Sequence, residues 1–376
     1  MITKFNTQLF DISMNSYTLA NTAGANGQIS YNYETGKLYV HDGFGNKFSN
    51  TLVVAQTAPS NQYGLNYGYT IGRSPAGWDD TTQKSSLTSD VISTLVGGAY
   101  TPISPSLNLN GNKRAAAGSE SNGYLIGGRL SPPSAAISDY FKFSFTSDGD
   151  TTDVGELLEP RWGIAGTQSS SYGYASGGGA PYPSTIQSYS TVIQKFPFSS
   201  DTNALSVGQL TVYTDEGASS CSTTHGYNLG GRVGTPTGTT PSTNTIRQFP
   251  FSSDTSSTDT ATLVHRMAGG AATQSEEFGY YVHGNSPIDL NPSISDKIQK
   301  FPFASNANAI DVGELLDRKS FGAAYSSQTH GYKAGGYNSS SGGVDQVEKW
   351  TFSSDSSSAD VSELTYNVWT HEGTKY

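Results

Sequence analysis

The side chains able to do chemistry are few, and most of them recur. Six histidines stand at positions 41, 225, 265, 283, 330 and 371. None has the H-E-x-x-H or comparable spacing that brings two imidazoles onto one metal. His225 and His330 each precede a Gly-Tyr pair, in a slot filled elsewhere by Asn122, Tyr172 and Phe278. A slot accepting such varied side chains serves packing rather than ligation. Cys221, the single cysteine, lies near His225 and could in principle act as a thiol nucleophile. Other units have no equivalent, so an inert thiol is expected.

Carboxylates cluster at Asp148, Asp150 and Asp153, at Asp254 and Asp259, and at Asp355 and Asp360. Paired carboxylates can hydrolyse glycosides or hold calcium. Repetition argues against one catalytic pair, and Asn306 replaces the acid in one copy. Asn and Asp cap a turn equally well, so turn capping is the expected role. Arg114, Arg161, Arg266 and Arg318 also recur, with Tyr213 in the equivalent slot of another unit. They are expected to pair with acids such as Glu156, Glu159 and Glu314 between units. No catalytic residue, metal ligand or cofactor is assigned. The unrepeated polar and aromatic residues lie in loops 129–139, 179–192, 232–245, 285–297 and 337–346. Among them Tyr182, Tyr189, Arg232 and Asp289 are the candidate contacts for a sugar or a protein surface.

These positions recur because the chain does. A nonapeptide appears six times, as TQKSSLTSD (82–90), YFKFSFTSD (140–148), IQKFPFSSD (193–201), IRQFPFSSD (246–254), IQKFPFASN (298–306) and VEKWTFSSD (347–355). Successive starts are 58, 53, 53, 52 and 49 residues apart, a period typical of radially arranged or stacked units. Gly-Tyr recurs at Gly68, Gly123, Gly173, Gly226, Gly279 and Gly331, and a Gly-Gly pair closely follows four of them. Each unit predicts four strands, exemplified by FGAAYSSQ (321–328), HGYKAGG (330–336), IQKFPF (298–303) and a short DVGELL (311–316). Small residues in the first two suit strands crowded round an axis. Alternate connections of such a unit emerge on one face, so the variable loops share a face with the unit-to-unit connections.

Composition agrees: 43 Gly, 23 Tyr and 11% aromatic residues suit short strands and tight turns, not disorder. Net charge is −10 and no Lys/Arg run occurs, so no nucleic-acid partner is expected. No apolar stretch approaches the roughly 18 residues of a membrane helix, and the N-terminus lacks the apolar run of a secretory signal.

Four short strands per unit, with paired Gly ending the second and an aromatic-rich third, resemble the kelch β-propeller repeat over about residues 51–376. The usual downstream Trp appears only as Trp350. The resemblance implies an all-β fold, a six-bladed propeller with seven blades as the alternative; a β-helix is the other architecture considered. The last first-type strand, NVWTHEG (367–373), is expected to pair with Gly68-Tyr69 and close the ring. TLVVAQTA (51–58) competes for that place.

Residues 1–50 lie outside the repeat, and GQISYNYETGKLYVHDGFGNKF (27–48) reads as a β-hairpin. It resembles a short motif of bacteriophage tail-fibre and other virion proteins, matched at Gly27, Ile29, Tyr31, Asn32, Thr35, Gly36, Leu38, Asp42 and Gly43. The FPFSSD and DVGEL repeats resemble structural proteins of phages of marine bacteria, especially cyanophages. These resemblances imply a virion tail or fibre protein, made in the host cytoplasm, oligomeric and without catalytic activity. Residues 1–50 would dock to other tail proteins, and the propeller would face a host glycan or receptor. The competing expectation is a propeller enzyme acting on surface polysaccharide.

Overall fold

The computed structural model describes residues 114–129, 135–147, 150–179, 189–234, 241–286, 289, 293–368 and 371–375, together with 29–32, 37–41, 47–51, 67–73, 80–87 and 94–95. The chain divides into two compact units, Met1–Ala58 and Pro59–Tyr376, against an expected boundary at 50/51. In the first, Ile29–Asn32 pairs antiparallel with Lys37–His41, giving the expected hairpin, and Lys47–Thr51 adds a third strand.

The second unit is all-β, in a propeller arrangement. Five blades are each built in chain order from four antiparallel strands. Blade 1 comprises Ala115–Gly118, Asn122–Ile126, Ile137–Ser144 and Thr152–Arg161. Blade 2 comprises Ala165–Gln168, Tyr172–Ser176, Val192–Pro197 and Leu205–Gln209. Blade 3 comprises Ala218–Cys221, His225–Leu229, Thr243–Pro250 and Thr258–Met267. Blade 4 comprises Ala271–Gln274, Phe278–Asn285, Ile294–Pro302 and Ile310–Glu314. Blade 5 comprises Ala323–Ser326, His330–Asn338, Gly342–Thr351 and Ala359–Val368.

Six blades, with seven as the alternative, were expected; the described residues form five complete from their own stretch of chain. The first nonapeptide does not complete a blade from its own stretch of chain. Tyr67–Arg73, Asp80–Ser86 and Thr94–Leu95 form a four-stranded sheet only with His371–Lys375 as its innermost member. The pairing expected between the C-terminal strand and Gly68-Tyr69 is therefore present, in the register His371↔Gly72 to Lys375↔Gly68. It starts later than expected, because the outer strand of blade 5 runs through Val368. The competing segment 52–58 lies outside the described residues. Fourth strands were expected to be short. They are five residues in blades 2 and 4 but ten in blades 1, 3 and 5.

The repeats are legible as joints between blades. In the five blades each Gly-Tyr glycine faces an aromatic of its own blade's third strand: a Cβ on Gly226 would stand 2.4 Å from the Phe249 ring, and one on Gly173 2.2 Å from that of Phe196. The tyrosine then packs on the two aromatics of the next blade's nonapeptide. Tyr124 meets Phe196 and Phe198, Tyr174 meets Phe249 and Phe251, Tyr227 meets Phe301 and Phe303, and Tyr280 meets Trp350 and Phe352. Tyr69 of the composite sheet likewise meets Phe143 and Phe145 of blade 1. Burial pushes the Tyr124 and Tyr174 hydroxyls up to about 12, so they stay neutral.

The nonapeptide acids were expected to cap turns; Asp201, Asp254 and Asp355 bridge blades, and Asp148 lies outside the described residues. Lys142 reaches Asp201 at 2.7 Å, Lys195 reaches Asp254 at 2.6 Å and Lys300 reaches Asp355 at 2.8 Å, in each case from one blade to the next. Two of the four arginines expected to pair between blades pair within them: Arg161 with Glu159, and Arg318 with Asp296 at 3.4 Å. Outer edges are covered too. Ala204, Ser257, Ala309 and Ser358 each donate a backbone N–H to the preceding blade's outer strand, which blocks edge-to-edge pairing there.

Gly-Gly marks where the chain crosses over itself. The N–H of the second glycine donates to the connection leaving the same blade, as Gly128 to Arg161 and Gly178 to Thr214, both at 2.8 Å. The first glycine is left-handed (Gly127 φ 57, Gly177 φ 71), and a Cβ on Gly127 would meet the Arg161 carbonyl at 2.8 Å. In blade 4 this place is taken by His283, also left-handed at φ 49.

Candidate binding face

The inner strands of the five blades line a cavity of about 130 Å3. Its wall carries small side chains such as Ala116, Ser219, Ala272 and Ala324. Hydroxyls tie neighbouring inner strands together: Thr167 Oγ1 donates to the Ser220 carbonyl at 3.3 Å, and Ser326 Oγ to that of Gln274 at 2.8 Å. The volume holds several waters or one small polar molecule.

The blade-to-blade connections frame the end where the loops emerge. Gly163, Glu216, Gly269 and Phe321 hold equivalent places in successive connections, and all are left-handed, with φ of 63, 54, 60 and 59. Their backbones form a relay: Glu216 N–H donates to Gly163 O at 2.9 Å, Gly269 to Glu216 at 3.0 Å and Phe321 to Gly269 at 2.6 Å. A left-handed glycine costs nothing here, whereas Glu216 and Phe321 each carry strain of order 1 kcal/mol. Side chains retained against that cost mark the cavity mouth as the place to look for binding.

Glu216 is anchored by the loop beside it. Thr214–Asp215 pairs with Arg232–Val233, placing Asp215 opposite Arg232. The expectation that connections and variable loops share a face is thus seen directly. Arg232, two-fifths exposed, brings its guanidinium 3.0 Å from the buried Glu216 carboxylate. Tyr189 closes this corner: a Cβ on Gly234 would stand 2.2 Å from its ring. Its hydroxyl is pushed up first by burial and then by nearby Asp215 and Glu216, with Arg232 opposing.

Of the four contact candidates, Tyr189 and Arg232 come together at this corner. Tyr189 is only 8% exposed and forms a wall rather than an open platform. Asp289 is exposed, and its carboxylate accepts the Arg266 backbone N–H at 2.7 Å, holding its loop to the preceding outer strand. Tyr182 lies outside the described residues. Glu216 and Asp215 were missed; aligning the connections as WGIA, DEGA, AGGA and SFGA would have set Glu216 in one column with Gly163 and Gly269.

Cys221 is buried in the cavity wall, 3.5 Å from the Gln274 amide nitrogen. His225 bonds the adjacent Thr224 hydroxyl at 2.8 Å, and His330 bonds Thr329 at the same distance. Among the described residues, no three His, Cys, Asp or Glu side chains gather as a metal site. The class defined by fold and face is a β-propeller with a polar, loop-framed cavity mouth. No protein-family model matches the sequence, and no curated protein matches it.

Proposed function

We propose that this chain is a structural component of a bacteriophage virion, in the tail or a fibre, whose propeller is a rigid recognition body rather than an enzyme. The observation that supports this is the division of its side chains. Repeated aromatic, Lys and Asp residues serve the blade joints, while the unrepeated Asp215, Glu216 and Arg232 gather at the loop-framed mouth. In this reading the loop face receives a host-surface glycan or receptor, residues 1–50 dock to other tail proteins, and the assembly is oligomeric. The composite sheet is the sixth blade of a kelch-like ring: its innermost strand approaches the inner strands of both blade 5 and blade 1.

Labelled antibody against the propeller, imaged on intact particles, tests the location. An inward-facing loop surface ends the recognition claim. Binding to host envelope polysaccharide should weaken about tenfold or more in Arg232→Ala. Shortening of that polysaccharide by the purified protein would establish the enzyme instead.

A further inference from the structure

One buried cluster has no part in the face just described. Lys319, Lys333, Glu348 and His283 are fully buried between blades 4 and 5. Glu348 is already committed: one carboxylate oxygen takes Lys319, and the other accepts Ser358 Oγ at 2.5 Å and the Leu316 N–H at 2.8 Å. Lys319 Nζ also bonds Gln346. Lys333 is left with two backbone carbonyls, Ala334 at 3.3 Å and Gly335. Two acceptors match the two N–H bonds of a neutral amine, whereas an ammonium would bury a third N–H without a partner.

The same nitrogen lies directly behind the cavity wall. A Cβ on Gly322 would stand 2.3 Å from Lys333 Nζ, and Gly322 lines the cavity. Gly322 (φ 93) follows the left-handed Phe321, so at this point the backbone of a glycine, without a side chain, separates the buried amine from the cavity. We propose that Lys333 is a concealed nucleophilic amine that forms an imine with small aldehydes entering the central cavity. Its nitrogen lone pair attacks the carbonyl carbon, and a C–N bond forms. The carbinolamine then loses its oxygen as water, taking both protons from nitrogen in net terms: R–NH2 + R′CHO → R–N=CHR′ + H2O. A desolvated lysine beside a second cation is the setting in which lysine is nucleophilic at neutral pH. Burial first, and then the Lys319 ammonium, hold Lys333 well below the ordinary lysine range.

The test treats the full-length folded protein at pH 7 with propionaldehyde and sodium cyanoborohydride, which reduces any imine to a stable secondary amine, followed by peptide mass spectrometry. Lys333 should be alkylated about tenfold faster than Lys142 and Lys297, which are partly exposed and paired with carboxylates. Lys319→Met should slow labelling of Lys333 by about tenfold or more at pH 7, because Glu348 then becomes its partner; raising the pH to 10 should restore it. An aldehyde too large for the cavity should leave Lys333 unlabelled. Labelling of Lys333 no faster than Lys142, or equal labelling in Lys319→Met with the fold intact by near-ultraviolet circular dichroism, overturns the proposal.

Discussion

Five joints of the propeller unit and the one that remains solve the same packing problem differently. In the five, a tyrosine of one sheet lies on two aromatics of the next, and a glycine makes room for the nearer ring. Between blade 5 and the composite sheet those aromatics are replaced by Ser85 and Leu87. Tyr332 still reaches across, its hydroxyl donating to the Leu87 carbonyl at 3.3 Å. The missing ring comes from the other side: Tyr325, on the inner strand of blade 5, stacks on Tyr332 at 5.5 Å. It fills the space over Gly68, where a Cβ would stand 2.3 Å from it. A joint therefore requires an aromatic volume over the glycine but not a particular origin for it. The exception falls on the sheet assembled from both ends of the propeller unit.

The harshest way to break that comparison is to remove the closing strand. Deleting His371–Tyr376 leaves Tyr67–Arg73 as an unpaired edge beside blade 5. The expected outcome is loss of one cooperative unfolding transition, with rapid hydrogen exchange confined at first to 67–73. A truncated chain that melts with the full-length profile would show that the composite sheet is not needed for closure.

The substitution at the irregular joint should be reversible by making it regular. Tyr325→Thr installs the hydroxyl residue found at Thr167 and Thr273 and empties the space over Gly68, at a cost of about 3–5 kcal/mol. Ser85→Phe alone overfills a buried site that Tyr325 occupies, costing about 1–3 kcal/mol. The double variant rebuilds the arrangement of the other joints and should recover at least about 2 kcal/mol of the summed loss in urea unfolding. Simple additivity would mean that Tyr325 does not stand in for the missing ring.

Much of this was legible in the sequence and some was not, for identifiable reasons. The alternation in IQKFPF and the Gly-Tyr and Gly-Gly spacing gave the four strands, because both depend on one blade's own residues. Pairings that join one blade to the next were hidden. Asp254 looked like a turn cap because Lys195, its partner, lies 59 positions earlier. Tyr325 looked like one more residue of a small-residue strand, since the gap it fills opens at Gly68. The ring-closing pair was found because an unmatched strand at each end is a local observation. Glu216 was missed because its strain shows only beside Gly163 and Gly269.

Acid should separate the blade 4 turn from its Gly-Gly counterparts. Burial first, with Lys319 adding to it, holds the His283 imidazole well below its ordinary range. The unfolded chain therefore binds a proton near pH 6.5 that the folded chain refuses. Stability contributed by this site is complete above that pH. It falls by about 1.4 kcal/mol for each unit of further acidification, down to the folded value. His283→Gly should abolish this part of the slope between pH 6.5 and 5 and relieve the left-handed backbone; an unchanged slope would place the acid sensitivity elsewhere.

The smallest effect concerns the charges beside the aromatic joints. Three joints carry a Lys–Asp pair, but between blades 3 and 4 both partners change together: Gln248 stands for Lys and Asn306 for Asp. The aromatic part of that joint is ordinary, with Tyr227 on Phe301 and Phe303. Gln248 instead donates to the Tyr227 hydroxyl at 3.1 Å. If the two positions face each other as their equivalents do, Gln248→Lys or Asn306→Asp alone should give no gain, since each adds one unmatched charge and the first also removes the bond to Tyr227. Together they should show a favourable coupling of about 0.2–1 kcal/mol that shrinks in 1 M salt, as for other partly exposed ion pairs. A coupling near zero at low salt would mean that the paired neutral amides are not in register, and that this joint departs from its neighbours in geometry as well as in charge.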